Sequence, residues 1–232
     1  AWSSFMNSGD MESLHSMDIF EPLSAGEVDR ISGGIPVQLF ERGRNVYTPA
    51  YRDGVFFFLL DGRVRVYRLE KESEVTLSVI RGGEFFGEAA FTERHRKGSY
   101  AEVMETSRVG LMNRETLAQI IRDCPRVGMK AVELLSERLS AREERMVSIS
   151  LKKVPSRLAG LILDLSRAEG VPTPEGRKIP TRYTHEQLGA MIGAKRVAVT
   201  RALTGLQKSE AVNLRQRRIY IKDLEALERA VA

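Results

Sequence analysis

Residues 184–207 read THEQLGAMIGAKRVAVTRALTGLQ, and they hold the side chains best suited to chemistry. Arg196, Val197, Thr200 and Arg201 recur at a spacing that places them on one face of a helix. An arginine fork matches the O6 and N7 acceptors of guanine, and an apolar side chain meets a thymine methyl, so such a face suits the reading of base edges. Arg215, Arg217 and Arg218 follow, flanked by Val212, Leu214 and Ile219-Tyr220-Ile221. A basic hairpin of that kind suits phosphate. For catalysis nothing comparable stands out: there is no paired His and Glu metal set, no phosphate loop and no nucleophile motif. The expectation is therefore not an enzyme. His15, His95 and His185 are scattered and Cys124 is the only cysteine. No metal site and no iron–sulfur cluster is expected, because a cluster needs several thiolates. No required cofactor is expected either, although a lone axial haem ligand stays open. At Cys124 a thiol switch and an inert, partly buried thiol are both open, the second being the simpler reading.

The elements that position the reading face are marked in the sequence. Thr184 with Gln187 three residues on is a capping box, which starts a helix. Leu188, Met191 and Ile192 give that helix its apolar face. Gly193 stands where a helix-turn-helix needs a left-handed residue. A second helix then runs from about Arg196, with Val199, Leu203 and Leu206 turned inward. The competing reading is an αα-hairpin buried in a core, and the spacing, the glycine turn and the basic wing argue against it.

Charge supports the same assignment. Residues 152–232 hold 16 Lys and Arg against 8 Asp and Glu, whereas residues 1–151 hold 20 against 23. A basic back half behind a mildly acidic front suggests that the back meets a polyanion. The 42% hydrophobic content is ordinary for a globular protein, and no eighteen-residue apolar run exists. The first twenty residues lack a basic start followed by an apolar stretch, so they are read as a loose arm and not a secretory signal. With one cysteine and no membrane span, a cytoplasmic location is expected.

Three sections are expected. Residues 1–124 contain short β-rich runs: Val55 to Leu60, an alternating Arg63-Val64-Arg65-Val66-Tyr67, Val75 to Ile80, and Val109 to Met112 before a short helix from Arg114 to Arg122. Asp61-Gly62 between the first two reads as a tight hairpin turn. Such strands imply a barrel or sandwich. Residues 125–153 open on Pro125, which suits a first helical turn. Val132, Leu135, Leu139, Met146 and Ile149 follow there on three- and four-residue steps broken only by Arg142, the seam of a self-pairing helix, with packing against the chain's own barrel as the alternative. Residues 154–232 begin with Pro155, which ends or kinks that helix. An amphipathic helix from Ser156 to Ala168 comes next, then a loop over Gly170 to Gly176.

From about Leu14 to the end the chain resembles the Crp/Fnr superfamily of bacterial regulators. Gly82-Gly83-Glu84-Phe85-Phe86-Gly87-Glu88 resembles that family's effector-pocket signature. Ile192 to Arg201 resembles the cyanobacterial nitrogen regulators of the NtcA group. The resemblance implies an α+β fold: a cyclic-nucleotide-binding-like β-roll (a double-stranded β-helix), a long dimerisation helix and a C-terminal winged helix-turn-helix. It implies a homodimeric, sequence-specific transcription regulator on a two-fold symmetric site in double-stranded DNA, with half-sites about one helical turn apart. RNA polymerase is its implied second partner, and an activator its implied role. By analogy Arg196, Val197 and Arg201 read bases with Thr200 beside them, while Thr184 and Lys195, with Arg217 and Arg218 of the wing, meet phosphates. Val197 replaces the glutamate of the cyclic-AMP receptors, so the same half-site is not expected.

The effector side is less decided. The receptors' Arg-Ser pair for the cyclic phosphate falls at Gly98-Ser99, and their Thr-Ser pair on the dimer helix falls at Arg142-Glu143. A missing arginine contact and a carboxylate near an anion both weaken nucleotide binding, so cyclic AMP is not expected to be required. Lys97 is a less directional substitute. Glu88 either faces a ligand hydroxyl or pairs with a neighbouring arginine. Arg138 and Glu143 recur at the spacing that NtcA-like proteins use for 2-oxoglutarate, and otherwise belong to a solvated helix face. Phe86, Gly87 and Ser99 complete the effector-pocket candidates. A regulator gated by 2-oxoglutarate or a nucleotide, an effector-free one, and a signalling module with incidental DNA affinity are the alternatives.

Overall fold

The computed structural model describes residues 8–50, 54–70, 73–87 and 99–231. The chain divides into two compact units, Ala1–Leu139 and Ser140–Ala232.

The first unit is built on two unusually long strands, β3 (Val55–Glu70) and β6 (Ser99–Asn113). They pair antiparallel from Val55↔Asn113 to Arg68↔Ser99. Around them the sheet runs β1 (Val37–Phe40), β6, β3, β4 (Ser73–Arg81), with β2 (Asn45–Tyr47) added to β6 and β5 (Phe85–Phe86) added to β3. The apolar run at Val55 to Leu60 lacks alternation because both of its faces are buried. Phe57 and Leu59 enter the interior of the roll with Val64, Val66, Phe86, Ala101 and Val103. Phe56, Phe58 and Leu60 point the other way, against α3 (Arg114–Asp123) and the N-terminal helices.

Asp61-Gly62 is not a hairpin turn. β3 runs straight through it, with register shifts against β6 on either side. Gly62 has φ +96°, and the Asp61 carboxylate accepts its N–H at 2.8 Å. A dipeptide that allows positive φ serves a bulge as well as a turn. Here Ser107 fills the bulge, fully buried, its Oγ accepting the Arg63 N–H at 3.0 Å and donating to the Glu105 carbonyl at 2.7 Å. Arg65 also departs from the exposed position its alternation suggests. It is 7% exposed, clamped between Glu74 at 2.8 Å and Glu102 at 3.1 Å, and its guanidinium lies over the Tyr67 ring.

The expected loose N-terminal arm is overturned from Ser8 onward. From Ser8 the chain forms α1 (Ser8–His15), a 3-10 turn (Asp18–Phe20) and α2 (Ala25–Ser32). Leu14, Met17, Ile19 and Phe20 are buried in the core, and the buried Asp10 pairs with Arg108 of β6. Four well-spaced apolar anchors outweigh the polar composition around them. Asn113 caps α3 by accepting the Thr116 N–H at 2.7 Å. Cys124, buried between α3 and α4 (Pro125–Leu151), belongs to the same core.

The second unit takes the last half of α4, then α5 (Val154–Glu169), α6 (His185–Ile192), α7 (Arg196–Lys208) and α8 (Leu224–Arg229). Its sheet runs β7 (Val171–Thr173), β8 (Gly176–Lys178), β10 (Arg218–Ile221), β9 (Val212–Arg215). Leu158, Ile162 and Leu165 of α5 are buried against the core, and Pro155 lies in its first turn. The expected loop over Gly170 to Gly176 is in fact the β7–β8 hairpin. Its register is set at Gly176, where φ is +116° and a Cβ would stand 2.1 Å from the Ile221 carbonyl oxygen.

Gly62 and Gly43 separate two costs. Both have positive φ, but a Cβ on Gly43 meets nothing within 4 Å, whereas one on Gly62 would stand 2.1 Å from Ser107 Oγ and 2.8 Å from its Cα. Gly43→Ala therefore costs only backbone strain, about 1–2 kcal/mol. Gly62→Ala adds a clash with a fully buried neighbour and costs several kcal/mol more, on the order of overpacking a core. Urea denaturation of the two variants checks this, and equal midpoints would refute the bulge.

Candidate nucleic-acid interface

Thr184 starts α6 with both halves of the capping box present: its hydroxyl accepts the Gln187 N–H at 3.0 Å, and Gln187 Oε1 accepts the Thr184 N–H at 2.9 Å. The helix ends at Gly193, with φ +65° and ψ +44°. That left-handed residue lets the Ala194 N–H reach the Gly189 carbonyl at 2.9 Å, closing the turn before α7 begins. Gly189 is needed for closeness rather than for its φ: a Cβ there would lie 2.4 Å from the Ala194 oxygen. α7 buries Val199, Ala202, Leu203 and Leu206. Its other face presents Arg196, Val197, Thr200 and Arg201 to solvent, Val197 at 62% exposure. Lys195 is the N-cap residue of α7 and exposed with them. The exposed valine between two arginines is free to meet an apolar group such as a thymine methyl.

The wing cations divide. Arg217 stands at the tip of the β9–β10 turn, exposed, with positive φ shared by Gln216. Arg218 turns inward, its Nε donating to the Pro180 carbonyl at 2.9 Å. Arg215 pairs with Glu175 of the β7–β8 turn at 2.5 Å. Arg217 is thus the wing arginine directed outward.

Three supports of this site carried no sequence signal strong enough to single them out. Glu186 lies 3.7 Å from Arg196 across the two helices. His185 Nδ1 is 2.9 Å from Thr200 Oγ1. Below the turn, Ile149 of α4 packs within van der Waals reach of Gly193, and Arg145 of α4 donates to the Ala190 carbonyl at 3.3 Å. Burial pushes the Arg145 guanidinium below its ordinary range. Ile149 therefore serves its own helix-turn-helix, as well as falling on the spacing of the seam.

The effector-pocket candidates are placed as follows. Phe86 is core, stacked on Phe57 at 5.2 Å and on Tyr47 at 6.3 Å. Gly87 has φ +86°. Ser99 is buried at the start of β6, directly opposite Arg68 of β3. Glu88 and Lys97 lie outside the described residues. Arg138 does not belong to a solvated face: it donates to the Phe85 carbonyl at 2.7 Å and stacks over the Phe85 ring at 4.2 Å. It thereby fixes α4 to the glycine-rich signature, an interaction no helical periodicity reveals. Arg142 and Glu143 are on the exposed side of α4 in the second unit. Among the described residues no group of three or more His, Cys, Asp and Glu is arranged to hold a metal ion, and no helix is long and apolar enough to cross a membrane.

Residues 37–124 match the cyclic nucleotide-binding domain, and residues 156–230 match the Crp-like helix-turn-helix domain. The global nitrogen regulator of Synechocystis sp. is 26% identical over 194 residues, covering 82% of this chain and 86% of that one. The CRP-like cAMP-activated global transcriptional regulator of Mycobacterium tuberculosis is 23% identical over 219 residues, 94% of this chain and 98% of that one. In fold, the c-di-GMP responsive global regulator CLP of Xanthomonas campestris superposes with a TM-score of 0.76, at 21% identity, over 86% of this chain and 100% of that one. With both domains matched in order and a complete helix-turn-helix displayed on the surface, the chain belongs to the Crp/Fnr family of transcription regulators, with its helix-turn-helix domain at residues 156–230.

Proposed function

We propose that two copies of this chain bind a two-fold symmetric DNA site with half-sites about one helical turn apart, each α7 entering a major groove. The observation that carries this reading is the outer face of α7, where two arginines and an exposed valine stand on a helix fixed by the Gly193 turn. Arg196, Val197 and Arg201 read bases, with Thr200 beside them. Thr184, Lys195 and Arg217 meet phosphates, and Arg218 shapes the wing and contributes charge. The N-terminal roll over residues 1–124, the dimer helix over 125–153 and the DNA-binding domain over 154–232 are the functional sections. The protein acts in the cytoplasm and on RNA polymerase, with no catalytic step of its own.

Pairing rests on α4. Val132, Leu135, Leu139 and Met146 are each at least 39% exposed on one chain, a stripe whose burial favours a second copy. Cyclic AMP is not required, because in the sequence Gly98, Arg142 and Glu143 replace the residues with which the cyclic-AMP receptors hold the nucleotide. A specific observation favours the gated alternative: Arg138 ties α4 to the Gly82–Gly87 segment, so a 2-oxoglutarate or nucleotide ligand that competed for Arg138 would act on the dimer helix directly. The likeness of residues 192–201 to the nitrogen regulators supports reading this protein as NtcA-like.

Three outcomes test the reading. Leu139→Asp puts an unpaired carboxylate in the seam at a cost of several kcal/mol. Sedimentation then shows monomers, and an unchanged dimer refutes the seam. In calorimetry, cyclic AMP gives no micromolar binding that sharply raises DNA affinity; such binding would refute independence from the nucleotide. Arg196→Ala or Arg201→Ala relaxes preference at one base pair per half-site by about 1–3 kcal/mol. Arg217→Ala instead weakens all sequences alike and flattens the salt dependence by about one unit of slope per lost contact. Competition on randomised duplexes at several salt concentrations separates the two classes. Full sequence preference in both Arg196→Ala and Arg201→Ala would remove α7 as the reader.

A further inference from the structure

Within the second unit, the last turns of α4 and the length of α5 leave a groove, closed on its far side by the end of α6 and by residues of and after α8. It encloses about 1040 Å³, room for a ligand with an extended body. Val147, Leu151, Leu161 and Val231 supply its apolar wall. Val147 is 55% exposed and Leu151 79%. Both lie off the seam: at 3.6 residues per turn they stand about 100° and 140° round α4 from Met146. Pairing along the seam therefore does not cover them.

Charge divides by depth. Glu143, Glu144, Lys152, Asp164, Arg167 and Glu228 line the groove but are exposed at its rim. Among the described residues, the charged groups drawn into its wall are Arg145 and Arg157. Arg157 Nη1 donates to the Ile149 carbonyl at 3.2 Å, while its Nε is buried and meets no acceptor. A buried guanidinium N–H left unmatched is costly, and an anion is the acceptor that repays most. Nε and Nη2 form the edge of a guanidinium that grips a carboxylate with two parallel bonds. The interior is thus apolar and positive, and only the rim carries both signs.

We propose that this groove binds an amphipathic carboxylate of the fatty-acid class, one per chain. The carboxylate meets Arg157 at Nε and Nη2, and the hydrocarbon lies along Val147, Leu151 and Leu161. A bare anion lacks the body that this wall would cover, and a cation on the same body meets the wrong charge. Ile149 and Ile192 line the same groove, and Ile149 packs on Gly193, so the ligand stands directly beneath the helix-turn-helix turn.

Titration calorimetry of the full-length protein with decanoate tests this. Decanoate saturates at one per chain. Octanoate, two methylenes shorter, binds roughly tenfold more weakly. Acetate and decyltrimethylammonium show no saturable binding. Arg157→Gln weakens decanoate binding by about tenfold or more, and Arg157→Lys restores part of it, because lysine keeps the charge without the fork. Val147→Glu changes an exposed helix position on which the core does not depend, and it too weakens binding by setting a carboxylate against the hydrocarbon. A wild type that binds no decanoate, many weak sites per chain, or equal uptake of decyltrimethylammonium would overturn the proposal. Affinity kept in Arg157→Gln would overturn the head-group contact, and affinity kept in Val147→Glu would overturn the groove.

Discussion

The close approach of α6 to the turn before α7 is the constraint on which the rest depends. Two glycines make it possible for different reasons. Gly193 supplies a left-handed backbone, and Gly189 supplies the missing Cβ that lets the Ala194 carbonyl lie against α6. With both in place the Ala194 N–H reaches the Gly189 oxygen, and the direction in which α7 leaves has little freedom. Ile149 packs beneath this turn and Arg145 donates to the carbonyl of Ala190. The last turns of α4 therefore hold the reading motif by its hinge, and a displacement of α4 would be felt there first. Coupling between a dimer helix and a DNA-reading helix needs a packed, discrete contact of this kind.

Cations in the second unit fall into two groups that composition cannot separate. Arg218 is bound into the sheet by the Pro180 carbonyl, and Arg145 and Arg157 donate to carbonyls of Ala190 and Ile149, while Arg215 keeps only an exposed pair with Glu175. Arg201, Lys195 and Arg217 point outward, and Arg196 is steadied by an exposed glutamate whose pairing is weak in water. The excess of positive charge is thus partly architectural. Only the outward group is positioned to release counterions from DNA.

What the sequence made legible follows from how local each signal is. The Thr184–Gln187 box, the Gly193 turn and the inward row Val199, Leu203, Leu206 are encoded within a few residues of one another and stand as read. Asp61-Gly62 and the Gly170–Gly176 segment were misread because glycine reports that positive φ is allowed, not what the chain does with it. In the first case Ser107, forty-four residues away from Arg63, turns a tight-turn dipeptide into a bulge. In the second the Ile221 carbonyl decides the register. Arg65, and Arg138 in its solvated-face reading, depart from expectation because charge suggests exposure. Their partners, the Phe85 carbonyl and the Glu74 and Glu102 carboxylates, come from strands that pair only in three dimensions. The exposed apolar stripe on α4 is legible for the same reason as the helix-turn-helix, since a single periodic segment carries it.

The chemistry of the reading face narrows further once its hydrogen bonds are counted. The Thr200 hydroxyl is engaged with the Arg196 carbonyl at 3.1 Å and with His185 Nδ1 at 2.9 Å, so little of it is left for a base. Val197 is then the apolar group set between two guanidinium forks. Guanine O6 and N7 suit the forks and a thymine methyl suits the valine, whereas no carboxylate on the outer face of this helix accepts from cytosine N4. The half-site that such a face fits is therefore one that presents guanine and thymine to the same side of the groove. Glu186 does little to sharpen the choice: its pair with Arg196, at 3.7 Å, is exposed on both sides, so the fork keeps most of its freedom until a partner takes it up.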